Sequence, residues 1–300
     1  NGSELVTLHI PQEGIRFPIG LRDDGIGGEN TKLYDETGTI VITEGFLRQS
    51  YAIGKYEVSY RLWKQVYDWA HTGAGKEKGY SFREGEMGYA KKEKEKSALH
   101  EDHPVTKVSW YDCIVWCNAY SEMIGVVPAY YKKGIADEGG NIKAENRQNY
   151  NRWVLRDAKA EKKDCDSLVQ LSAKELGKEK MGNGFRLPTW LEWQLAAKLT
   201  DKESCIVVEK DGVPRTGTVN GKQWYFTKGS AVSGGSYDLI ADRRQFSVMA
   251  EDASRYANYG ITFQPKNEAP LPPPLCKTVA ISSLMPNALG IHNMSGSVSE

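Results

Sequence analysis

His100-Glu101-Asp102-His103 sets four metal-ligating or acid–base side chains in a row. Imidazoles and carboxylates this close could hold a metal or move a proton. The same residue types also build polar turns, and Pro104 forces His103 to be extended. Turn chemistry alone therefore accounts for the run. Five cysteines are present. Cys113 and Cys117 stand four apart, which on a helix puts both thiols on one face. That geometry is poor for a disulfide, and two thiols are too few for a metal, so both are expected to be core thiols. Cys165, Cys205 and Cys276 lie in polar or loop-like stretches, with no spacing that suggests a disulfide framework. Gly25-Ile26-Gly27-Gly28 and Gly234-Gly235 lack the spacing and the strand–helix context of a phosphate loop, and read as turns or flexible loops.

Any such chemistry needs a frame, and three segments supply its helices. Gly184-Phe185-Arg186-Leu187-Pro188-Thr189-Trp190-Leu191-Glu192-Trp193 reads as an extended entry, a proline-set turn and a capped helix. Thr189 can accept a first-turn N–H while Glu192 reaches back to the N–H of Thr189, a capping box. Leu191, Leu195 and Leu199 then share one face. Tyr56-Glu57-Val58-Ser59-Tyr60-Arg61-Leu62-Trp63 has the same build, with Ser59 as N-cap and Leu62, Val66 and Trp69 at helical spacing. In the stretch from His103 to Asp112, residues 105–108 are extended, Ser109 is the cap, and Asp112 takes the acidic position of the box. Ile114, Cys117, Ser121 and Ile124 trace a buried stripe, flanked by Trp110 and Trp116.

Residues 6–10, 39–43 and 51–58 read as strands, and residues 21–37, rich in Gly and Asp, as a loop. Residues 73–102 read as an exposed, charged excursion. Within them Lys91-Lys92-Glu93-Lys94-Glu95-Lys96 alternates in sign, as a solvated face does and a nucleic-acid patch does not. Residues 159–183 form a second charged insertion with a short helix expected around 168–176. Residues 200–274 carry a strand-like Ile206-Val207-Val208, a Gly/Ser stretch and Pro272-Pro273-Pro274. They read as the irregular half of one domain.

The three helix segments, together with Pro286-Asn287-Ala288-Leu289-Gly290-Ile291-His292-Asn293-Met294-Ser295-Gly296-Ser297-Val298-Ser299-Glu300, resemble the formylglycine-generating (sulfatase-modifying) enzyme family. The resemblance runs from Ile15-Arg16-Phe17-Pro18-Ile19-Gly20 to the last residue. It implies an α+β, loop-rich, elaborated C-type-lectin-like fold, with small twisted antiparallel sheets and a few helices. One domain over residues 1–300 is expected, cut short at its C-terminus because the chain stops in mid-motif. In the family the last loop holds Ca²⁺ or a similar hard cation. The matching positions here are the side-chain oxygens of Asn293 and Glu300 and the carbonyls of Gly296 and Val298. Oxygen ligands of this kind suit calcium, and the same residues also suit a plain structural turn. Ser297 stands where the family usually has Asn and Ser299 where it usually has Trp. A second family cation site uses an Asn that Asn258 matches loosely. Ser233-Gly234-Gly235-Ser236-Tyr237 echoes a family motif but precedes the Asn293 loop, the wrong order.

The family's oxidase chemistry depends on a pair of reactive cysteines, and none of the five occupies a matching position. A thiolate copper site needs at least two converging thiolates. The non-haem-iron branch of the fold needs a histidine-rich helical domain, which five histidines do not supply. Two readings follow. One is a non-catalytic, receptor-like binding protein, resembling the variable proteins of diversity-generating retroelements in Ser299, in its charged insertions and in Asn287-Ala288-Leu289-Gly290. The other is a formylglycine-generating-type oxidase of a peptide cysteine whose catalytic segment lies beyond Glu300. The first is preferred because no positioned catalytic group is found.

Net charge is zero at a pI near 7.1, which argues against nucleic acid or anionic lipid as main partner. Eight Trp and sixteen Tyr are enough to serve both packing and a binding surface. Trp224 and Tyr225 are the candidates for a ligand surface, in an aromatic run that reads at least as well as a plain apolar strand. The partner is expected to be a protein or other surface ligand, with no organic cofactor. No apolar run reaches the ~20 residues that span a bilayer. The chain is expected to be a monomer outside the cytoplasm, at the cell surface or secreted, with room for a removed signal or a lipid anchor before Asn1.

Overall fold

The computed structural model describes residues 4–20, 43–88, 101–138, 140–159, 168–200, 216–226, 233 and 278–294. Its main helices are α1 (Tyr60–His71), α2 (Trp110–Met123), α3 (Ala144–Gln148) and α4 (Trp190–Lys198), joined to small antiparallel sheets of two or three strands. This is the α+β, loop-rich arrangement expected. Proximity in space divides it into two compact units that interleave in sequence.

One unit holds residues 59–87 and 105–187. Ser59 caps α1 by accepting the N–H of Leu62 at 3.2 Å. The buried face of α1 is Trp63, Val66 and Ala70 rather than the expected Leu62, Val66 and Trp69. The cause is aromatic: the Trp63 ring stacks on Trp116 of α2 at 5.3 Å, 4° from parallel, and Phe82 meets its edge. The Ser109–Asp112 capping box of α2 forms in full, and Asp112 also takes the Nε–H of Arg83 at 2.7 Å. Burial works against the Asp112 charge, but the bonds from Ser109 and Arg83 hold its carboxyl below the usual range. From Ile114 to Ser121 α2 is buried on every side, so it is a core helix rather than a one-sided stripe. Ile124 ends it as an exposed C-cap, and Trp110 at its first position is exposed as well.

Residues 73–88 are less exposed than expected. Tyr80 and Phe82 are core residues, and Glu86–Met87 pairs with Val105–Thr106. The helix expected around 168–176 is instead the strand Val169–Gln170, paired with Tyr130–Tyr131, followed by a single turn. Ser172 and Glu175 cap that turn reciprocally, and Gly177 at φ +67° ends it, so it cannot lengthen. Gly184, at the entry to the Thr189 segment, is glycine for a steric reason. A Cβ there would lie 2.1 Å from the carbonyl oxygen of Val127.

The other unit holds residues 1–58, 88–104 and 188–300. Strand Leu5–Leu8 pairs with Tyr51–Gly54, and Ile15–Gly20 with Thr43–Leu47. The strand expected at 51–58 therefore stops at Gly54, and only Thr43 of the expected 39–43 is described. Thr189 and Glu192 complete their capping box at 3.2 and 2.8 Å. Leu195 is buried, Leu191 half-buried, and Leu199 has left the helix for the strand Leu199–Thr200. The Tyr51 hydroxyl donates to the Glu192 carbonyl at 2.6 Å, tying α4 to the first sheet.

Thr216–Val219 and Lys222–Phe226 form a hairpin across Asn220-Gly221, both at positive φ (55° and 71°). An Asn-Gly pair is the strongest short-range hairpin signal, and it sits inside the stretch the sequence reading left irregular. Asn220 also accepts the His9 N–H at 2.7 Å and donates to the Thr7 carbonyl at 2.9 Å. Asn220→Ala is expected to cost about 1–2 kcal/mol through left-handed strain and two lost hydrogen bonds. Faster amide exchange across residues 216–226 is the readout, and unchanged exchange would contradict the clamp. Ile206-Val207-Val208, the glycines at 25–28 and Pro272-Pro273-Pro274 lie outside the described residues.

Candidate functional site

The loop that reaches Asn293 is built, not loose. Asn287, 5 % exposed, is its anchor. The Asn287 side chain donates to the Ala196 carbonyl of α4 and to Ser233 Oγ, both at 3.0 Å. Its Oδ1 accepts the N–H groups of Leu289 and Ile291 at 3.0 and 3.1 Å. Gly290, at φ +80°, makes the turn that lets one asparagine serve both. Ile291 and Met294 then bury themselves on Ala196 and Ala197. Ser233, from the motif echo, is itself buried and donates to the Ala197 carbonyl at 2.8 Å.

His292 follows, with its backbone N–H on the Lys55 carbonyl at 2.9 Å and Nδ1 at 2.7 Å from the Leu284 carbonyl. A carbonyl only accepts, so Nδ1 carries the proton. The imidazole ring lies 4.8 Å from the ring of Tyr56. The next residue, Asn293, is 2 % exposed and sits at φ +57°. Asn is among the few non-glycine residues that tolerate that region. Its Nδ2 donates to Glu57 Oε2 at 2.7 Å. Its Oδ1 is buried and finds no hydrogen-bond partner among the described residues. A buried acceptor left so is costly, and an unseen water or ion is one of the explanations such an atom calls for. An amide oxygen at a loop bend is a suitable donor for a hard cation.

Of the four expected ligands, Asn293 alone is among the described residues. Gly296, Val298 and Glu300 lie outside the described residues, as does Asn258. Glu57 was missed as a neighbour of Asn293. It stands 236 residues away in sequence, and its only local sign is a carboxylate two residues before a helix cap. Trp224 is corrected: at 6 % exposure it belongs to the core, its Nε1 donating to the Val219 carbonyl at 3.0 Å. Strand alternation turns its indole inward, where Lys222 covers it at 4.3 Å. Tyr225, its neighbour, is half-buried and paired opposite Thr216.

Of the two described cysteines, Cys117 is a core thiol as expected, while Cys113 is half-buried. Burial pushes Cys113 up to about 11 and Cys117 higher still, so neither is a thiolate near neutral pH. His103 hydrogen-bonds Thr278 at 2.9 Å. No group of three or more metal-ligating side chains occurs among the described residues, and His100 lies outside them. No helix among the described residues is long and apolar enough to cross a membrane.

Capped helices, short antiparallel sheets and a C-terminal loop fastened to α4 define an α+β protein of the formylglycine-generating-enzyme type. The sulfatase-modifying factor enzyme 1-like domain matches residues 43–300, and the chain belongs to that family. It is similar to the crystal structure of CarF, with a TM-score of 0.55 at 22 % identity over 100 % of this chain and 79 % of that one. This likeness shows the fold. Treponema denticola variable protein 1 matches with a TM-score of 0.48 at 18 % identity, over 96 % of this chain and 69 % of that chain. No curated protein matches the chain.

Proposed function

We propose that this protein is a non-catalytic, ligand-binding member of its family, whose C-terminal loop is braced by a hard cation. The observation that carries the brace is the buried Oδ1 of Asn293, at a left-handed bend and without a hydrogen-bond partner among the described residues. Gly296, Val298 and Glu300 supply the further oxygens on the family pattern, and calcium fits such a set. The non-catalytic half of the reading is supported by the residues of the family motifs. Ser59, Ser109, Asp112, Thr189 and Glu192 are all taken up by helix capping. The described thiols, Cys117 buried and Cys113 half-buried, are both held protonated near neutral pH by desolvation. The partner is a protein or other surface ligand met outside the cytoplasm. Asn287-Ala288-Leu289-Gly290 and Ser299 favour, within this class, the variable protein of a diversity-generating retroelement.

Two measurements test the reading. Ca²⁺ in hundredfold excess over its Kd should stabilise the fold by about 2.7 kcal/mol relative to chelator. An identical melting temperature in the two conditions would remove the cation. Incubation with copper and a cysteine-containing peptide should leave the peptide thiol intact, and thiol-dependent oxidation of that peptide would overturn the non-catalytic assignment.

A further inference from the structure

We infer that Glu57 is the positioning residue of the Asn293 loop: its carboxylate sets the amide so that Oδ1, not the NH₂ group, faces the cation. The inference rests on the cation reading above and adds to it a residue from a distant part of the chain. A carboxylate only accepts hydrogen bonds, so the group it meets at 2.7 Å must be the donor end of the amide. Charge-assisted bonds of this length are among the stronger ones. The two ends of an amide are nearly equal in size, and a half-turn about the last side-chain bond exchanges them. Only the oxygen end has lone pairs for a cation. At 2 % exposure bulk water is not at hand to hold either end, so the partner of Nδ2 decides which way the amide faces. The backbone restricts the choice further, since φ +57° fixes the direction of the Asn293 side chain.

Glu57 is itself held in register with the loop. The carbonyl of Lys55 takes the His292 N–H at 2.9 Å, and the Tyr56 ring packs against the His292 ring. Residues 55–57 therefore run beside 292–293, which brings the carboxylate to the amide. Lys55 lies between the strand Tyr51–Gly54 and these residues, its own N–H still on the Glu4 carbonyl at 2.9 Å while its carbonyl meets the C-terminal loop.

The test is Ca²⁺ titration by calorimetry, below the melting temperature, on wild type, Glu57→Gln and Glu57→Ala. Partners that orient a metal ligand are worth about 10–100-fold in affinity. Glu57→Ala should weaken Ca²⁺ by that factor. Glu57→Gln, whose amide oxygen can still accept from Nδ2, should stay within about threefold of wild type, well short of that range. Wild-type binding with an unchanged Kd in Glu57→Ala would overturn the role of Glu57 and leave the cation site standing. Equal losses in both variants would also overturn it, by showing that charge rather than orientation matters. Absence of Ca²⁺ binding in wild type would remove the site and this inference together. Should Glu57→Ala fail to fold, the side-chain amide resonances of wild-type Asn293 decide: one proton shifted downfield by the carboxylate supports the orientation, and an unshifted pair overturns it.

Discussion

Replacing Asn118 with leucine is expected to destabilise the protein by about 4 kcal/mol. Asn118 lies on α2 with no exposed surface. Its Nδ2 donates to the carbonyls of Tyr130 and Leu155 at 2.8 and 2.9 Å. Its Oδ1 accepts the N–H groups of Ala129 and Tyr130 at 3.1 and 3.0 Å. Every hydrogen-bonding position of the amide is used, and each partner is backbone. Leucine matches the volume but leaves buried main-chain groups short of partners, at about 1–3 kcal/mol for each group orphaned. Total stability of an ordinary domain is only about 5–15 kcal/mol, so the denaturation midpoint should fall steeply. Asn118→Asp should also destabilise at neutral pH, because a carboxylate accepts from the two N–H groups but cannot donate to the two carbonyls. A loss below 1 kcal/mol in the leucine variant would mean that the cross-link is dispensable.

Glu122→Ala is expected to cost about 3–5 kcal/mol, the range for removing one partner of a buried ion pair. The Glu122 side chain is 6 % exposed and that of Arg156 18 %. Arg156 grips the carboxylate with two bonds at 2.8 and 3.2 Å, and the Tyr80 hydroxyl adds one at 2.6 Å. Lys78 approaches from the exposed side at 3.2 Å. Burial opposes the charge, but the bonds from Arg156 and Tyr80 win and hold the carboxyl below its ordinary value of 4.5. The sign follows by linkage. The unfolded chain binds its proton first, so this contribution is complete above about pH 4.5 and is lost as pH falls through the lower folded value. Acid titration of stability should therefore show a steeper decline below pH 4.5 in wild type than in Glu122→Ala. Parallel curves would contradict the assignment.

Helix capping was legible because it is local. Thr189 with Glu192 and Ser109 with Asp112 lie three residues apart, and a helix start needs nothing further to recruit them. The Asn220-Gly221 hairpin was equally local and was missed, its signal overshadowed by the irregular composition on either side. Faces of helices were read less well. The stripe on α1 is displaced by one residue because Trp63 found Trp116, a choice that one helix cannot reveal. For Trp224 the sequence leaves surface and apolar strand open, because an aromatic strand residue looks alike on either face until the sheet has something to cover.

By itself the sequence determined the family, the capped helix starts, the core character of Cys117, and the asparagine at the bend of the last loop. These rest on residue types and on spacings of three or four, which hydrogen-bond geometry imposes within a single turn. Only the tertiary structure decided which polar atoms meet. Asn118 faces four backbone groups, Glu122 faces Arg156, and Glu57 faces Asn293 from 236 residues away. The physical reason is that a buried polar group must be satisfied by whatever backbone or charge the fold delivers to it, and that delivery is a property of the packed chain.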